Sequence, residues 1–110
     1  MTEAIYELKH SLKELNRNLI KRIDPICEIL ESKEDKERLS YWLDDLTILT
    51  ETTIVLNEKK VTDFDLNLFN EKINDLLDGI ENKDFLLVSD QLQYELKPLL
   101  TYWDECIKND

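Results

Sequence analysis

The sequence predicts an all-α domain, an antiparallel four-helix bundle of up-down topology with kinks near Pro25 and Pro98. Three observations carry this. One glycine and two prolines in 110 residues leave few places for the tight turns that a sheet needs. Apolar residues recur at spacings of three and four, the period of an amphipathic helix. Charged residues at 35% beside apolar residues at 42% suit a folded helical surface rather than a disordered chain. The length supports a core, and residues 1–110 read as one domain.

Residues 3–23 read as the first helix, with Ile5, Leu8, Leu12, Leu15 and Leu19 as its apolar seam. Lys9, Lys13, Arg17 and Lys21 follow at intervals of four along its flank. They read as a solvated face whose long stems cover the core edge, or as a basic ridge that meets an acidic helix. Asp24-Pro25 matches an N-cap followed by a first helical residue. Ile23, Ile26 and Leu30 continue the earlier apolar phase, so a break and a kinked continuation are both open. The charged run Glu31–Arg38 is a corner, with Ser32 and Asp35 offering a capping-box-like start.

The second helix is expected over residues 34–58, with Leu39, Trp42, Leu43, Leu46, Leu49, Thr53 and Leu56 as its core face. Tyr41, Ile48 and Val55, seven residues apart, form a second apolar line almost opposite. Thr47, Thr50, Thr52 and Thr53 lower helix propensity and need tertiary packing to compensate. After a corner at Asn57–Thr62, Thr62 is expected as the N-cap of the third helix. Asp65 then stands in the capping-box position, and Val61 with Leu66 has staple spacing. That helix runs to about Glu81 on Leu66, Phe69, Ile73, Leu76, Leu77 and Ile80, with Gly79 weakening its last turn.

Asp84 caps the fourth helix, whose stretch Asp84–Trp103 is the richest in apolar residues and is expected to be the central packing element. At 100° per residue, Phe85, Val88, Leu92, Leu96, Leu99, Trp103 and Cys106 share one face. Leu87, Tyr94 and Tyr102 form a neighbouring line. Pro98 removes the donor to the carbonyl of Tyr94, which costs about 3 kcal/mol in a regular helix. Tyr41, Ile48, Val55, Leu87, Tyr94 and Tyr102 together are the candidate interaction surface, because aligned outward apolar residues are less common than isolated ones.

Residues that could carry chemistry are few. Glu7 and His10 form a single Glu-x-x-His unit, the element that di-iron bundles use twice. His10 is the only histidine and points away from the apolar seam, so no metal site, cofactor or catalytic residue is expected. Asp44-Asp45 and Asp104-Glu105 diverge on a helix and cannot share a proton. Glu95 is either a rim carboxylate or a buried one paired with Lys21 or Arg22. No glycine-rich loop is present to hold a phosphate. Cys27 and Cys106, without CxxC spacing, read as packed reduced thiols.

The net charge of −11 is uneven, at +2 over residues 1–23, −5 over 24–60 and −8 over 61–110. Such acidity disfavours nucleic acid and membrane surfaces as partners and allows a protein partner or a second copy in a homodimer. No apolar run is long enough to span a bilayer and no signal-peptide core stands at the N-terminus, so a cytoplasmic location is expected.

Within Asp84–Trp103, Asp84, Asp90, Tyr94-Glu95-Leu96, Pro98 and Trp103, with Trp42 upstream, carry a resemblance. The stretch resembles the C-terminal signature of small uncharacterised helical-bundle proteins of Gram-positive bacteria, a domain of unknown function. Gln93 departs from the glutamate of that pattern. The resemblance implies a helical bundle and no established activity. The expected function is a non-enzymatic protein–protein interaction module that self-associates. The alternative is a cytoplasmic chaperone of a flagellar or secretion substrate.

Overall fold

The computed structural model describes residues 2–32 and 37–107, with side chains at 4–30 and 37–107. All secondary structure among them is helical. It comprises α1 (Thr2–Ser32), α2 (Glu37–Glu58), α3 (Leu66–Glu81) and a fourth rod in three parts. These parts are α4 (Phe85–Gln91), a π-helical turn (Leu92–Leu96) and α5 (Lys97–Cys106). Leu92 and Lys97 keep right-handed helical dihedrals, so the three parts run on without a break.

α1 packs against α2 and, along its length, against all three parts of the fourth rod; α3 packs on α4 and the π-turn. The molecule measures 46 × 23 × 20 Å. At 1.5 Å per residue, the 31 residues of α1 span about the whole long dimension. The central position expected for Asp84–Trp103 is therefore shared, and α1 is the spine along which α2 and the rod both lie.

Pro25 neither starts a new helix nor ends the first, because α1 continues through it to Ser32. Ile23, Ile26, Cys27 and Leu30 stay buried on the stripe begun by Leu12 and Leu19. Their burial offsets the hydrogen bond that Pro25 cannot make, while Lys21 and Pro25 lie on the exposed side where water reaches the freed carbonyl. The expected first helix thus ends nine residues too early. The Ser32–Asp35 start falls partly on residues 33–36, outside the described residues, as do the first three residues of the expected second helix.

On α2, Leu39, Trp42, Leu46, Leu49, Thr53 and Leu56 are buried, with Leu43 half-buried. The Trp42 indole N–H donates to the Leu19 carbonyl at 2.9 Å, so its polar tip is satisfied inside the core. Each threonine hydroxyl of α2 donates to the carbonyl four residues back: Thr47 to Leu43, Thr50 to Leu46, Thr52 to Ile48 and Thr53 to Leu49. This local bonding lets a fully buried Thr53 sit among leucines without an orphaned hydroxyl.

The third helix begins later than expected. Its N-cap is Asp65, whose carboxylate accepts from the Leu68 N–H at 3.0 Å. Thr62 instead donates its hydroxyl to the side-chain oxygen of Asn57, which also accepts from the Phe64 N–H at 3.2 Å. The Asn57 amide donates to the Phe64 carbonyl at 3.0 Å, so one side chain clamps the whole corner. With Asp65 as cap, the staple positions belong to Phe64 and Phe69, not Val61 and Leu66. Both rings stack on Trp103, at centroid distances of 4.4 and 4.7 Å. At the other end, Gly79 lets two helices approach closely, since a Cβ there would lie 3.0 Å from Val88 Cγ2.

In the fourth rod, Asp84 caps α4 as expected and accepts from the Leu87 N–H at 3.3 Å. Beyond the π-turn, however, the buried residues are Leu100, Trp103 and Ile107. Leu99 is half-buried and Cys106 exposed, against the uniform 100° expectation. The Lys97 N–H bonds to the Leu92 carbonyl, five residues back. A turn closed that way advances less than 100° per residue, so downstream residues arrive one position late on the core face.

Candidate interaction surface

α2 holds Tyr41, Ile48 and Val55 outward because its other side is locked into the core by Trp42, Leu46 and Leu49. The fourth rod holds Leu87, Tyr94 and Tyr102 outward because Val88, Leu92, Leu96 and Leu100 are buried. All six candidate residues are between 38% and 72% exposed, with Val55 least and Tyr94 most. They form two lines on two different helices rather than one patch. Pro98 and Thr101 are exposed beside Tyr94 and Tyr102 and extend that line. Leu86, at 71%, is as exposed as Tyr94 but has no aligned apolar neighbour in sequence to draw attention to it.

The charged borders of the two lines differ. On the rod, Lys97 reaches both carboxylate oxygens of Asp24 on α1 at 3.2 Å, and Arg17 of α1 pairs with Asp104 at 3.1 Å. On the opposite border, Lys72 of α3 pairs with Glu95. On α2, Asp44 lies between Tyr41 and Ile48 and Glu51 between Ile48 and Val55. Both are exposed and without an ion pair among the described residues. Glu95 is therefore a rim carboxylate paired with Lys72, and Arg22 pairs with Asp45 at 2.6 Å instead.

The basic flank of α1 divides by function. Lys13 is buried and donates to the Ile107 carbonyl at 2.6 Å and to the Asp104 carbonyl at 3.4 Å. Asn16, fully buried, donates to the Leu100 carbonyl at 2.8 Å while its own oxygen has no partner. Lys21 is exposed. The ridge therefore docks in part on the end of α5, where carbonyls at a helix C-terminus favour cations.

A groove of about 470 Å³ opens at the same end, walled by Lys9, Phe64, Leu68, Leu99, Tyr102 and Cys106 among others. The Tyr102 phenol is raised above the usual tyrosine value by its hydrogen bond to the Cys106 thiol. A second recess, about 380 Å³, lies among Arg22, Pro25, Ile26, Arg38 and Tyr41. Glu7 and His10 are exposed, and the His10 Nε2 lies 3.3 Å from Glu14 one turn on. Among the described residues, no group of three or more His, Cys, Asp or Glu is placed to hold a metal ion. No helix among them is long and apolar enough to cross a membrane.

Comparison with curated proteins and with solved structures gave no match. A family model, Domain of unknown function (DUF8042), matches residues 7–106, and the chain belongs to that family.

Proposed function

We propose that this member of the DUF8042 family is a non-enzymatic protein–protein interaction module that associates with a second copy of itself. The same reading makes the fold an antiparallel up-down four-helix bundle in the cytoplasm of a Gram-positive bacterium. It works without a cofactor, nucleic acid or membrane. Pairings such as Lys13–Ile107 with Asp24–Lys97, and Lys72–Glu95 with Gly79–Val88, support helices that run against one another.

One observation carries the functional reading: Tyr41, Ile48, Val55, Leu87, Tyr94 and Tyr102 lie aligned and exposed on two helices that already bury another face. A bundle of this size needs one apolar face per helix, and tyrosine suits interfaces because its ring buries area while its hydroxyl stays bonded. Charge shapes the expected behaviour. Chains at −11 repel one another, so association strengthens as salt screens them.

Sedimentation of the wild-type chain at low and high salt, beside a variant carrying Ile48→Lys and Tyr94→Glu, tests this. The wild type is expected to form a dimer that salt strengthens and that the double variant loses. A wild-type chain that stays monomeric at hundreds of micromolar would sink the self-association reading. The two faces would then serve a different protein, as the chaperone alternative requires.

A further inference from the structure

We draw no further inference here: the strongest candidate, the groove between Lys9 of α1, the corner at residues 61–65 and Leu99 and Tyr102 of α5, sets one ammonium against the carboxylates of Asp63 and Asp65, so its mixed charge selects no class of occupant and nothing in the structure shows what covers it.

Discussion

The ammonium of Lys13 donates to the carbonyl oxygen of Ile107 across 2.6 Å, tying α1 to the residue that follows α5. The bond is buried and spans 94 positions of sequence. It supplies a donor where the last turn of a helix has none, and its charge opposes the negative end of the helix dipole. Asn16 and Arg17 hold the same end through the Leu100 carbonyl and the Asp104 carboxylate.

Lys13→Met keeps most of the stem and removes the donor. Leaving the Ile107 carbonyl buried and unpaired is expected to cost about 1–3 kcal/mol, measured by urea denaturation. Lys21→Met, eight residues on and exposed, is the control and is expected to stay within about 0.5 kcal/mol. Equal effects at the two sites would show that Lys13 is solvated.

Gly79→Ala ought to stabilise a helix interior by about 0.5–1 kcal/mol. Here the new methyl would meet Val88 Cγ2 at 3.0 Å and the Gln91 side-chain oxygen at 3.2 Å. A net loss of about 1 kcal/mol or more is therefore expected, as for other overpacked sites. Combining it with Val88→Ala should recover part of that loss through coupling, which a double-mutant cycle reads directly. A stabilised Gly79→Ala single variant would contradict the close approach of α3 and α4.

Leu92 is fully buried in the π-turn, and Leu92→Ala is expected to cost about 2–5 kcal/mol. Leu86→Ala, six residues earlier and largely exposed, should cost little in the same denaturation experiment. A Leu92→Ala cost below about 1 kcal/mol would make the fourth rod peripheral to the core.

Pro98→Ala restores a backbone donor and, on a regular helix, would gain about 3 kcal/mol. The expected gain here is below about 1 kcal/mol, because closing the regular ladder would turn Leu100 and Ile107 away from α1. A gain near the full value would show that the proline, and not the fit to α1, imposes the π-turn.

How much of this was legible follows from which interactions are local. The helical class, the Asp84 cap and the buried faces of α2 and α4 depend on residues within one or two turns, and the pattern of the chain displays them. Outward Tyr41, Ile48 and Tyr94 were legible for the same reason. Asp65 displaced Thr62 as cap because Asn57 captures the Thr62 hydroxyl and because Phe64 and Phe69 can both reach Trp103, a residue distant in sequence. Lys13 and Asn16 look like flank residues of an amphipathic helix. Only the Leu100 carbonyl in α5 and the Ile107 carbonyl just after it, some ninety positions away, make their burial tolerable. Leu100 and Ile107 were missed, and Cys106 misplaced, because a fixed 100° step cannot register a turn of different pitch.

Val88, Leu92, Leu96 and Leu100 stand four residues apart, and all four are buried. On a uniform α-helix each such step overshoots a full turn by about 40°, so a stripe of this period winds away from a straight neighbour. The π-turn acts as a vernier that absorbs this drift against α1. Local ladder quality and angular fit are thus opposed in the fourth rod, and fit prevails. The grip of Lys13 on the final turn is accordingly a matter of rotation rather than length. Deleting one residue from Leu92–Leu96 would give a more regular helix and shorten the rod by only about 1.5 Å. It would also swing the last carbonyls away from the ammonium that holds them.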